Sequence, residues 1–257
     1  MTHRSVDRAS GSATGLPPAP DTVADRRDRL ADRYERDGRL DLTGLLHDRD
    51  AGRLALVSSF GTESAALLHL ALAARPDLDV VHIDTGRHFP ETLRYRDALR
   101  EHLGFRLVVV RPDERALQQR DPDATLAARD ADACCALRKT VPLREALRDY
   151  SGWLTGRKRM HGGVRAVLPH LERDGAHLKV NPLAAWDRAD VAAYFERHAL
   201  PRHPLEGRGY ASIGCAPCTA PTAFGASARS GRWAGSAKTE CGIHWGADGR
   251  PAAARAA

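Results

Sequence analysis

The chain of 257 residues has no apolar run near the roughly 20 residues that a bilayer-crossing helix needs. Nor does it open with the basic-then-apolar layout of a secretory signal, so cytoplasm is the expected compartment. Lysine is scarce, and nearly all of the 39 basic residues are arginine. The net charge of +6 and isoelectric point near 9.3 would suit an anionic partner, but Arg and Asp alternate and form no block of like charge. That pattern does not indicate a nucleic-acid face; a small phosphate-bearing molecule needs only a few of these arginines. Internal repeats are absent, which excludes a solenoid. The Gly-Lys-Ser ending of a Walker loop is absent too.

Cysteine is sparse but grouped. Four of the five cysteines form two tight sets, Cys134-Cys135 and Cys215-Ala216-Pro217-Cys218, while Cys241 stands apart. Two sets from distant parts of one fold look like four thiolate ligands for one metal centre, which leaves the remaining thiol for chemistry. Structural zinc sites usually close one tetrahedron with two knuckles. Adjacent cysteines diverge from their shared backbone and meet one small ion poorly, whereas a cubane offers separate iron corners. The residues alone leave zinc and iron-sulfur open. Disulfides do not fit a reducing compartment.

Residues 1–20 are rich in Ser, Gly, Pro and Ala without apolar period and read as a disordered leader. One or two amphipathic helices are expected over 21–49, carrying Leu30, Tyr34, Leu40 and Leu45. Strands are then expected at 54–59, 79–83 and 105–110, with helices over 64–74 and 91–103 between them. This alternation specifies right-handed crossovers and an α/β fold, a parallel sheet with helices on both faces. A helix over 134–148 places Leu137, Val141, Leu143 and Leu147 on one side despite Pro142, and a short strand follows at 153–155. Asp187 is the expected N-cap of a helix over 189–198, which Pro201 and Pro204 stop. The expected organisation is a nucleotide-binding domain over 21–206, a cysteine-bearing segment over 207–246 and a flexible tail over 247–257. The segment after Gly207 has too little apolar period to be held by a hydrophobic core, and a metal cluster would hold it.

The first strand runs into Ser58-Ser59-Phe60-Gly61-Thr62-Glu63-Ser64 and a helix. Such a small-residue loop offers backbone N–H groups and the positive helix end to an anion. The second strand ends at Asp84-Thr85-Gly86, at the same sheet edge, where ligands of open parallel sheets bind.

Taken in order, these two loops and Cys134-Cys135-Ala136-Leu137-Arg138-Lys139, Trp153-Leu154-Thr155-Gly156, Ser212-Ile213-Gly214-Cys215-Ala216-Pro217-Cys218-Thr219 and Lys238-Thr239-Glu240-Cys241-Gly242-Ile243-His244 resemble the adenylyl-sulfate and phosphoadenylyl-sulfate reductases. The resemblance covers about residues 54–244 and is nearest to the assimilatory, cluster-bearing branch. It implies an adenine nucleotide alpha-hydrolase-like fold. It implies that Cys134, Cys135, Cys215 and Cys218 hold a 4Fe-4S cluster. It further implies that Cys241 attacks the sulfur of adenylyl sulfate, expels AMP and is discharged as sulfite by thioredoxin or a similar protein dithiol. Lys139 matches the family's lysine near cluster and sulfate. Lys238 or His244 would influence the ionisation of Cys241, and His244 is grouped with the catalytic residues. Substrate contacts fall on Ser58, Ser59, Phe60, Gly61, Glu63, Ser64, Asp84, Thr85, Gly86, Lys158, Arg165, Arg229 and Arg232; guanidinium forks suit oxyanions.

Two departures stand out. Residues 158–165 read Lys-Arg-Met-His-Gly-Gly-Val-Arg, which keeps the basic ends of the family's segment without its polar middle, and Glu63 stands where Asp is more familiar. The 3'-phosphorylated substrate, and a non-catalytic zinc-bound nucleotide-binding protein, are the alternatives; homo-oligomerisation is left open. Residues 238–244 are expected to form a mobile flap, with Cys241 outside any packed core.

Overall fold

The computed structural model describes residues 21–223, 225–236 and 238–244. The expected leader over 1–20 and tail over 247–257 lie outside the described residues. Thr22 starts α1 (Val23–Tyr34) through a capping box with Asp25. A short hairpin of β1 (Glu35–Arg36) and β2 (Arg39–Leu40) leads to α2 (Leu42–His47). Leu30, Leu42, Leu45 and Leu46 then close one side of the core, as the pattern over 21–49 requires.

The alternating part follows as β3 (Leu54–Val57), α3 (Ser64–Ala74), β4 (Asp79–Ile83), α4 (Pro90–Leu103) and β5 (Arg106–Val110). Then come α5 (Glu114–Arg120), α6 (Leu126–Arg129), α7 (Ala131–Cys135), α8 (Val141–Ala146), β6 (Gly152–Leu154), β7 (Leu171–Asp174), β8 (His177–Val180) and α9 (Arg188–Arg197). The sheet order is β5-β4-β3-β6-β8-β7, parallel except where β7 pairs with β8. β3 and β4 are buried at every residue, as strands covered on both faces are. Among the described residues no helix is long and apolar enough to cross a membrane.

Two local outcomes differ from the sequence reading. The hairpin of β7 and β8 is additional. Its sequences, Leu-Glu-Arg-Asp and His-Leu-Lys-Val, hide their burial because Lys179 and Asp174 are charged and enclosed together, 3.5 Å apart. The helix over 134–148 is divided into α7, a wide π-type turn over Ala136–Thr140, and α8. Pro142 cannot donate to the preceding turn, and the wider turn absorbs that loss. Lys139 lies within the wide turn.

Arg138 in the same turn ties three segments together. Its Nη2 and Nε donate to Asp121 Oδ2 at 2.6 and 3.1 Å, and its Nη1 donates to the Thr85 carbonyl at 2.9 Å. Asp121 also accepts the Leu126 N–H at 2.8 Å. Burial pushes this carboxyl up, but the Leu126 N–H and the Arg138 guanidinium outweigh it and hold it below the usual carboxylate range. Arg138→Ala leaves Asp121 charged, buried and unpaired. The expected loss is about 3–5 kcal/mol of folding stability, read as a lower urea midpoint at unchanged slope. A midpoint within error of the wild type would mean that the pair contributes nothing.

Candidate active site

The loop after β3 is shaped from beneath. Phe60 takes a positive φ of 52° and is fully buried, edge-on to His82 at 5.2 Å and stacked with Phe105 at 6.2 Å. The ring lies under the loop, where a large apolar group is more stable than in a polar cavity, and Phe60 is not among the residues that line the cavity. Its N–H donates to Ser58 Oγ at 3.1 Å, which closes the turn. Ser58, Ser59, Gly61, Glu63 and Ser64 line a cavity of about 200 Å³ at the carboxyl ends of the parallel strands.

Six cationic side chains also line this cavity, Lys139, Arg157, Lys158, Arg165, Arg229 and Arg232, against the carboxylates Glu63 and Glu240. That excess selects for an anion. Lys158 donates to Glu63 at 2.8 Å, with His161 Nε2 at 3.3 Å from the same carboxylate. Burial raises the Glu63 pKa, but the hydrogen bond with His161 and the charge of Lys158 prevail and bring it to about 2. Arg165 forms a two-point pair with Glu240, its Nε and Nη2 donating at 2.7 and 2.9 Å. Arg229 lies 3.6 Å from Glu240 and donates to the Thr239 carbonyl at 3.0 Å. Arg232 lies over the Trp233 ring, and a Cβ on Gly214 would collide with its guanidinium. Glycine before Cys215 therefore lets the arginine lie against the cysteine loop.

Arg157 and His88 line the cavity without having been singled out from the sequence. Arg157 directly follows Gly156, and its place beside Lys158 was the available signal. Its Nε donates to Asn181 Oδ1 at 3.2 Å and it pairs with Glu172 on β7, both unforeseen. Burial lowers its pKa to about 10. His88 is placed by its Nε2, 2.9 Å from the Ile83 carbonyl.

The Asp84-Thr85-Gly86 turn is not part of the cavity lining. Asp84 pairs with Arg111 at 3.2 Å, and Thr85 Oγ1 sits 3.3 Å from Cys215 Sγ. The structure thus places Thr85 against Cys215 and Asp84 against Arg111. Arg138 draws the Thr85 carbonyl toward the π-type turn, which sets this loop against the cysteines.

All five cysteines are free thiols. Cys134 stands within electrostatic reach of Cys215 and Cys218, while Cys135 is hydrogen-bonded to Cys241 and packs with Cys218 and Trp233. Cys241 is buried, so its expected setting outside a packed core is also corrected. The polar tail folds back, and Trp233, Ile243 and Cys135 supply the apolar cover that its own sequence lacks. The hydrogen bond from Cys135 makes Cys241 the thiolate of the pair against the cost of burial, and Lys139 reinforces it. Lys139 is itself partly buried. Burial favours its neutral form, but Cys241, Cys215 and Cys135 outweigh that and keep it cationic. His244 lies parallel to Trp153, with ring centroids 5.8 Å apart, and burial together with Lys179 and Arg157 holds it neutral.

The donor set suits a metal group with several corners. Among the described residues, no three or more His, Cys, Asp or Glu side chains gather around a single ion position. Cys215 and Cys218 are instead within electrostatic reach of Cys134 and of each other, so the two cysteine sets come together in the fold.

Known proteins resemble this arrangement over most of the chain. The phosphoadenosine phosphosulfate reductase domain matches residues 53–221. An adenosine 5'-phosphosulfate reductase of Chelativorans sp. (strain BNC1) is 50% identical over 76% of this chain and 80% of its own. One of Mesorhizobium japonicum is 49% identical over 78% of each. The crystal structure of phosphoadenylyl-sulfate reductase from Candida auris, a phosphate complex, superposes with a TM-score of 0.61 at 26% identity, covering 74% of this chain and 94% of that one. FMN adenylyltransferase from Candida glabrata shares only the fold, at a TM-score of 0.53 and 15% identity over 80% of this chain and 69% of its own. With the match spanning β3 to α9, the small-residue loop after β3 and both paired-cysteine sets, the chain belongs to the phosphoadenosine phosphosulfate reductase family.

Proposed function

We propose that this protein reduces adenosine 5'-phosphosulfate to sulfite and AMP, a step of assimilatory sulfate reduction, with electrons from thioredoxin or a similar protein dithiol. The observation that carries the proposal is Cys241, a buried thiol lining a cavity whose cations outnumber its carboxylates. Such a cavity attracts a doubly anionic phosphosulfate and lowers the repulsion between it and the approaching thiolate. The relatives named for adenosine 5'-phosphosulfate are 41–50% identical, which supports the substrate without a 3'-phosphate.

In the first step Cys241 Sγ forms a bond to the sulfate sulfur as the sulfur–oxygen bond to AMP breaks, and the electron pair leaves on the AMP phosphate. Arg165, Arg229, Arg232 and Lys139 bind and orient the anion. The loop of Ser58, Ser59, Gly61 and Ser64 receives the nucleotide phosphate at the start of α3. In the second step a thiolate of the dithiol attacks Cys241 Sγ, sulfite departs with the sulfur–sulfur electron pair, and the partner's second thiol resolves the mixed disulfide. Neutral His244, parallel to Trp153, packs at the base of the reacting thiol's segment. Cys134, Cys135, Cys215 and Cys218 would hold a 4Fe-4S cluster. When bound, that group supplies a covalent tie between tail and body and a local charge beside Lys139.

The direct test is sulfite release by the anaerobically purified protein with a reduced dithiol protein, from adenosine 5'-phosphosulfate and from its 3'-phosphorylated form in parallel. Faster turnover of the first is expected, and no sulfite from either would overturn the proposal. For substrate grip, Arg232→Ala is expected to weaken adenosine 5'-phosphosulfate binding by about 1.5–3 kcal/mol, the cost of a lost charge-assisted hydrogen bond. Calorimetric titration reads it, and unchanged affinity would return Arg232 to a purely packing role over Trp233.

A further inference from the structure

Glu240 is one of two carboxylates in a cavity whose lining carries six cationic side chains, and it is placed next to the reacting thiol in sequence. It engages Arg165 at two points, at 2.7 and 2.9 Å, and stands 3.6 Å from Arg229. It also accepts the Cys241 N–H at 3.1 Å. Only 14% of its side chain is exposed. Both arginines held by Glu240 are among the four cations assigned above to the phosphosulfate.

Building on the function proposed above, we infer that Glu240 is a positioning residue that acts as the cavity's internal anion: it occupies Arg165 and Arg229 until the substrate's anionic group displaces it, and its displacement loosens the segment that carries Cys241. The physical reason is the asymmetry of buried ion pairs. A guanidinium that exchanges one oxyanion for another loses little, so substrate binding exposes no bare cation. The carboxylate left behind is different, since an enclosed charge without partners is strongly destabilised and moves toward water. Because the Cys241 N–H is bonded to that carboxylate, the thiol segment follows. The two events are linked, so whatever frees Glu240 must also tighten anion binding.

Inorganic sulfate is the probe, since it can occupy the arginines without any reaction. In the protein as purified without air, sulfate is expected to speed the alkylation of Cys241 by iodoacetamide, followed by peptide mass mapping. Glu240→Gln keeps the shape and removes the competing charge. It is expected to bind sulfate about tenfold more tightly, and to alkylate without sulfate as fast as the saturated wild type. A residue needed only for packing would give the opposite sign, with sulfate binding weakened by the substitution. Unchanged or weaker sulfate affinity in Glu240→Gln would overturn the inference. Should that variant fail to fold, alkylation of the wild type that is insensitive to sulfate would overturn it equally. Neither reading involves sulfite formation, so a failure of the proposed reaction and a failure of this inference are separately visible.

Discussion

Cys241→Ser is expected to abolish sulfite release, by more than about a thousandfold, while leaving the fold and the other four thiols in place. A hydroxyl is a far weaker acid than a thiol, so serine stays protonated where a cysteine can supply a thiolate. The oxygen also makes no sulfur–sulfur bond that a protein dithiol could open. The variant should still bind AMP, because the cationic side chains of the cavity are untouched. With the wild type and adenosine 5'-phosphosulfate but no reductant, intact mass should rise by about one SO3 unit, mapped to Cys241 and removed by the dithiol protein. An adduct on another cysteine, or turnover by the serine variant, would remove Cys241 from the mechanism.

Cys135→Ser should have the second largest effect, with iron and acid-labile sulfide per chain falling well below the wild type and activity falling with them. Cys135 packs against Cys241 and is one of the two adjacent cysteines of α7, so it joins the segment of the reacting thiol to the proposed cluster site. Its loss leaves three thiols around a group that needs four, and the tail loses its tie to the body. Anaerobic metal and sulfide analysis decides this directly. Full iron and sulfide in the variant would disqualify Cys135 as a ligand, whereas a colourless, zinc-containing wild type would disqualify the cluster.

The sheet was legible because β3 and β4 are buried on both faces, so unbroken apolar runs such as Leu54-Ala55-Leu56-Val57 mark them without any partner in view. Thr22, Asp113 and Asp187 each bond an N–H in the first turn of the helix they precede. Only Asp187 was read as an N-cap in advance. β7 and β8 were not legible, because Lys179 and Asp174 are polar letters in a buried place and only the fold brings them together.

The site divides along the same line. The sequence by itself singled out the paired cysteines, the isolated Cys241 and the small-residue loop at 58–64, since these depend on local spacing alone. Tertiary structure decided who partners whom. Arg165 meets Glu240 across 75 positions and Arg138 reaches Thr85 across 53, distances over which no local pattern carries information. It also turned Phe60 beneath the loop, set Thr85 against Cys215, and buried Cys241 in a tail that reads as polar. Burial there comes from Trp233 and Ile243 folding over the thiols, and the apolar cover of a side chain belongs to its neighbours in space, which a linear pattern does not contain.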